Sequence, residues 1–116
     1  MAVYNVYKPN EVGSVIVPVA VSATDTFAVQ PSGKYVLVVI NAGGSPDNVV
    51  IDDPVTPLPA GAAASSTFAD IAQAVANATT KAFQIEAARH GVAGVVTVTN
   101  SFITTVTAYV LGPFAG

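Results

Sequence analysis

Apolar positions along this chain recur mostly at every second residue or in short unbroken runs, and the runs stop at Gly, Pro or Asp, the pattern of strands separated by turns. Val15 to Val21 (VIVPVAV) reads as a strand, but Pro18 has no N–H for a ladder, so that strand belongs at a sheet edge or carries a bulge. Thr26 to Gln30 forms a short strand ended by the turn tripeptide Pro31-Ser32-Gly33. Lys34 to Asn41 (KYVLVVIN) is apolar on both alternating faces. It is either central in a two-layer core or covered on its outer side by a partner. A loop over Ala42 to Asp47 leads to a strand at Asn48 to Asp52, stopped by Asp53-Pro54.

Pro54 to Ala64 is rich in Pro, Ala and Gly and reads as irregular, after which the period changes. Phe68, Ile71, Ala72 and Val75 recur at spacings of three and four, as on one face of a helix. Thr67 with Asp70 forms a capping box, and Asn77 closes the helix in a left-handed conformation. Strand alternation resumes at Thr80 to Ala87 and again, past His90-Gly91, at Gly94 to Asn100 and Thr105 to Leu111. The last two are joined either by a two-residue hairpin turn at Asn100-Ser101 or by a turn at Phe102 to Thr104. One residue of slip between those choices exchanges the faces. The expected fold is all-β: a single-domain β-sandwich of about seven strands with one short helical insertion near 68–76. Residues 1–12 form an N-terminal arm or a first strand, and 13–116 the sandwich.

Composition turns this fold toward an assembly. Charged residues are 9% of the 116, against about 25% in ordinary globular proteins, while 52% are hydrophobic. The mean hydropathy is +0.59. A free monomer of this kind exposes large weakly polar surfaces, so either partners cover them or the chain is a monomer whose surface is Thr, Ser, Asn and Ala; cover by partners is the expectation. A membrane is not the expected cover, because Tyr35 to Ile40 is only strand-length and no run approaches the ~20 apolar residues of a spanning helix. The N-terminus lacks the basic flank and apolar core of a signal peptide, so synthesis and use in a cytoplasm without cleavage are expected. With net charge −3 and cations scattered at Lys8, Lys34, Lys81 and Arg89, nucleic acid is not an expected partner.

Candidate chemistry changes little. The absence of cysteine excludes disulfides, thiolate metal sites and a cysteine nucleophile. His90, the only histidine, stands in a loop context with no Gly-x-Ser-x-Gly elbow or other placed nucleophile to serve. Asp47, Asp52 and Asp53 supply the one acidic cluster, but their spacing is not that of a Ca²⁺ loop, and Asp before Pro is an ordinary strand terminator. Paired carboxylates for glycoside hydrolysis lack a tryptophan-lined cleft, and Gly43-Gly44 lacks the lysine of a phosphate loop. The expectation is a non-enzymatic chain without metal or cofactor.

Aromatic residues at the two ends offer rigid anchors that bury much area. Tyr4 and Tyr7 lie in the N-terminal segment, which is either a first strand or an arm packed on a neighbouring subunit; Phe114 follows Pro113 at the other end. Phe68, Ile71 and Val75 on the expected helix join them as candidate subunit contacts.

Asn48 to Pro54 (NVVIDDP) and Gly94 to Leu111 (GVVTVTNSFITTVTAYVL) resemble small structural proteins encoded among the head genes of tailed phages, particularly those of actinobacteria. The resemblance spans Tyr35 to Pro54 and Lys81 to Leu111, rests on strand and turn patterns, and does not include the expected helix. It implies a strand, a Pro/Ala/Gly-rich middle and a final Val/Thr hairpin. It further implies a virion protein, in many cases a decoration protein seated on the lattice of the major capsid protein, commonly as a homotrimer. The competing expectations are a neck or tail ring protein of six or twelve copies and a sandwich whose loops bind a glycan or host ligand.

Overall fold

The computed structural model describes residues 1–8, 15–30, 33–52, 71–86 and 94–114. Among these residues there is no helix; the chain forms nine strands in two packed sheets, as expected of a β-sandwich. The strands are β1 (Val6–Tyr7), β2 (Val19–Ala20), β3 (Thr24–Ala28), β4 (Lys34–Asn41), β5 (Asp47–Ile51), β6 (Ile71–Val75), β7 (Thr79–Glu86), β8 (Val95–Asn100) and β9 (Val106–Phe114). Seven of them, β3 to β9, have five residues or more.

The first sheet runs β1-β9-β4-β7, with β2 also on β9; the second runs β3-β8-β5-β6. From β2 onward every connection except β5–β6 passes from one sheet to the other. Strict alternation makes this possible. On β4, Tyr35, Leu37 and Val39 point into the core, as do Val49 and Ile51 on β5, Phe83 and Ile85 on β7, Val96 and Val98 on β8, and Val106, Ala108 and Val110 on β9. Branched residues dominate these positions because their stiff side chains suit a pleated, one-sided surface.

Pro18 sits where its missing N–H costs nothing. Residues 15–18 are not paired, and the strand begins one residue later at the sheet edge, where Val19 and Ala20 meet Ala108 and Thr107 of β9. The N-terminal segment is built into the sandwich. Val3 bridges Thr26 of the second sheet, while Val6 and Tyr7 run parallel to Val110 and Leu111 of the first.

Two expectations are corrected. The helix near 68–76 is absent over Ile71–Val75, which is strand β6; Phe68 lies outside the described residues. Ala76 to Ala78 then turn, and Ala78 rather than Asn77 takes the left-handed conformation (φ 61°). The final Val/Thr hairpin is also absent. β8 pairs with β3 and β5, β9 with β1, β2 and β4, so the segment 101–105 crosses between sheets and neither expected turn closes a hairpin. Gly43 allows that crossing: a Cβ there would lie 2.4 Å from Thr104 O and 2.5 Å from the Phe102 ring.

Candidate functional site

The sandwich leaves a second set of residues facing outward. On the first sheet the register sets Val38 of β4 beside Ala82 of β7 and Tyr109 of β9, with Val36 beside Leu111 and Ile40 beside Thr107. Tyr7 of β1 stands opposite Leu111. These side chains alternate with the core set, so they share the outer face. Val38 is only 8% exposed although it points away from the core, because its two neighbours flank it. The charges turned outward on β4, β7 and β9 are Lys34 and Glu86, which stand opposite each other at one end of the face. The two-sided apolarity of β4 fits the first of its expected causes, since the strand is central in its sheet between β7 and β9, and it leaves apolar side chains on the outer face.

That field has a margin of exposed aliphatics. The Tyr7 hydroxyl donates to Val17 O and accepts from Val17 N–H, each at 3.1 Å, which ties the exposed segment Val15, Ile16 and Val17 to β1. Phe114 ends β9 opposite Lys34 and is 39% exposed.

The remaining candidate contacts divide. Tyr4 is a correction: it is 2% exposed and stacked on Phe27, so it packs the chain's own core and reaches no neighbour. Val75 is likewise a correction, fully buried as an inward residue of β6. Ile71 is half-buried against the same core, and Tyr7 is half-buried on the outer face.

Tyr4 belongs instead to a buried polar cluster that the sequence reading missed. Its hydroxyl donates to Asp25 Oδ2 at 2.7 Å. Asp25 also accepts from Ala2 N–H (2.8 Å), Ser22 N–H (2.8 Å), the Ser22 hydroxyl and Asn100 Nδ2 (3.3 Å). Burial pushes the Asp25 carboxyl up, but the donors from Ser22, Tyr4 and the Ala2 amide outweigh it and hold it below the usual aspartate value. Burial first, and then the Asp25 bond, raise the Tyr4 hydroxyl far above the usual tyrosine value, so it remains a donor. The cluster joins the N-terminal segment, the β2–β3 turn and the end of β8. Tyr4, Asp25 and Asn100 are buried in it, while Ala2 and Ser22 at its margin are half-buried. The signal for it was thin: Asp25 within an otherwise apolar-alternating strand.

Asp47 is also buried. Its Oδ1 accepts from Ser101 N–H (2.9 Å) and Phe102 N–H (3.2 Å), while Oδ2 has no hydrogen-bond partner. Burial, with a smaller contribution from Asp25, raises its pKa. Asp52 is exposed, and Asp53, like His90, lies outside the described residues. Among the described residues no group of three or more His, Cys, Asp or Glu is placed to hold a metal ion. Comparisons with protein-family models, with curated proteins and with solved structures return no match.

Proposed function

We propose that this protein is a non-enzymatic virion component, a decoration protein that seats on the outside of a phage capsid lattice and stabilises it. The observation that carries the reading is the outer face of the first sheet. Val36, Val38, Ile40, Tyr109 and Leu111 line it, with charge only at its Lys34–Glu86 end, on a chain with 9% charged residues. Apolar fields of this kind on small domains are covered when the protein works.

Size argues for cover by an assembly. A face of three strands of about eight residues, roughly 26 Å by 14 Å, with the two-residue β1 at its side, comes to about 400 Å² in projection. A specific interface takes about 800 Å² from each partner. One face alone falls short, so seating draws on the margin at Val15 to Val17 and Phe114 and on repetition of the same contact by linked copies.

Purified virions of the encoding phage are expected to contain the chain in stoichiometric amount. The recombinant chain is expected to bind capsids stripped of it, saturably and with sub-micromolar affinity. Virions that lack the chain, or stripped capsids that neither bind it nor lose resistance to heat, would overturn the reading.

A further inference from the structure

A β-sandwich exposes four strand edges, and this chain treats them unequally. The outer edge of β3 is closed by the N-terminal segment: Tyr4 N–H donates to Thr26 O at 2.9 Å and Thr26 N–H to Ala2 O at 3.0 Å. The outer edge of β9 is closed by β1 and β2, each only two residues long, and short strands make poor templates. β7 carries Lys81 and Glu86 along its length, charges that oppose pairing with another strand. β6, Ile71-Ala72-Gln73-Ala74-Val75, has no charge and no proline, and among the described residues no strand lies on its outer side.

The backbone groups open on that edge follow from the register. Asp52 N–H donates to Thr97 O of β8, so the even-numbered residues of β5 turn their backbone toward β8 and the odd-numbered ones toward β6. Asp47, Val49 and Ile51 therefore engage Val75, Gln73 and Ile71. The N–H and C=O groups of Ala72 and Ala74 are left pointing outward. Among the described residues Lys81 Nζ reaches that edge, donating to Ala74 O and to Gln73 Oε1, each at 3.3 Å and exposed, a surface contact that pairing with another strand displaces.

The side chains of β6 read nearly the same in both directions: a branched aliphatic at each end, Ala inside each, and Gln at the centre. An antiparallel strand that meets its own copy across a twofold axis at Gln73 sets Ala72 opposite Ala74, Ile71 opposite Val75, and Gln73 opposite Gln73. The outward backbone groups of Ala72 and Ala74 then form two narrow hydrogen-bonded pairs, and every side chain meets one of matching size. The alanines leave the outer surface flat enough for close approach.

We infer that β6 is a self-pairing edge, through which two copies of this chain join their second sheets into one continuous eight-stranded sheet. The inference is independent of the capsid reading and implies twofold dimers rather than the expected trimer. Closed twofold pairing consumes the edge in both copies and leaves none for further growth.

Three measurements test it. Sedimentation of the full chain yields twice the 11.7 kDa chain mass at tens of micromolar. Ala74→Lys halves that mass while the thermal midpoint of the monomer stays within a few degrees, because position 74 is exposed and its backbone does not serve β5. Gln73→Cys, in a chain otherwise free of cysteine, gives disulfide-linked dimers under mild oxidation, since directly opposed non-hydrogen-bonded residues sit about 4.5 Å apart at Cα; Ala82→Cys on β7 does not. A monomer at several hundred micromolar, a trimer, or equal cross-linking at 73 and 82 would overturn the pairing and leave the capsid reading standing. Virions lacking a chain that dimerises this way would overturn only the capsid reading.

Discussion

At the scale of single residues, two buried aspartates do opposite things to stability. Asp25 is held below the ordinary aspartate value by its donors, so it stabilises the fold at every pH above that ordinary value. The contribution is lost as pH falls through the depressed folded value. Asp47 is held above the ordinary value by burial, so its ionisation destabilises the fold. That cost sets in as pH rises past the ordinary value and is complete above the raised folded one. Replacing Asp25 by Asn presents an amide to donors that need a carboxylate, and at pH 7 it is expected to cost about 2 kcal/mol. Replacing Asp47 by Asn keeps the acceptor for Ser101 and Phe102 and removes the ionisation, so stability at pH 7 is expected to hold or rise. Urea midpoints at pH 7 and pH 3 check both, with the differences shrinking at the lower pH; a reversed order at pH 7 would refute the assignment. Neither role was legible beforehand. Asp47, Asp52 and Asp53 look like one solvent-facing cluster because they are close in sequence, whereas strand alternation turns Asp47 inward and leaves Asp52 exposed.

At the scale of elements, the strands from β3 to β9 were largely legible because alternation is a local property. Lys34 to Asn41 is read directly from KYVLVVIN, and β5, β7 and β8 fall within a residue of where the pattern sets them. The helix at Ile71 to Val75 failed for a physical reason. Residues four apart share a face in a helix, but they also share a face in a strand, so Ile71 and Val75 fit both periods. The outward Ala72 and Ala74 carry too little hydrophobic signal to decide, and pairing with β5 settles the matter. The strand assignment has a consequence at Val75, which is fully buried, and at Ala74, which is exposed. Val75→Ala is expected to cost about 2 kcal/mol through lost burial and a residual cavity, and Ala74→Ser less than about 0.5 kcal/mol. The β6–β7 turn offers a gain, since Ala78 holds φ 61°. Ala78→Gly removes a strain of about 1 kcal/mol, and chemical denaturation should show most of it as added stability. A loss of stability there would mean that the turn does not hold this conformation. The crossing of 101–105 between sheets was not legible at all, because a turn that pairs two strands and a turn that separates them can have the same composition.

At the scale of the molecule, the sequence raised the expectation of a covered surface but not its place. The 9% charge motivates the expectation, while the place depends on which strands end as neighbours. Tyr109 and Leu111 join Val36 and Val38 only because β9 returns beside β4, and Tyr4 is lost as a contact only because the first residues fold over β3. Two surfaces emerge, on different sheets: the outer face of the first and the β6 edge of the second. Separate sheets should make them separable by substitution. Ile40→Lys puts a charge in the apolar field without touching β6, so it is expected to leave the solution mass unchanged and weaken binding to stripped capsids by tenfold or more. Ala74→Lys leaves the field intact and is expected to abolish the dimer, with capsid binding weaker only by the avidity of two linked contacts, about 10²-fold or more. The double substitution should then show both losses but less than their sum, because the avidity that the dimer adds scales with the same face affinity that Ile40→Lys weakens. If Ile40→Lys also splits the dimer, the two surfaces form one interface and the division of labour between the sheets is wrong. If Ala74→Lys leaves capsid binding untouched, the copies bind singly, and the face with its margin at Val15 to Val17 must supply the whole contact.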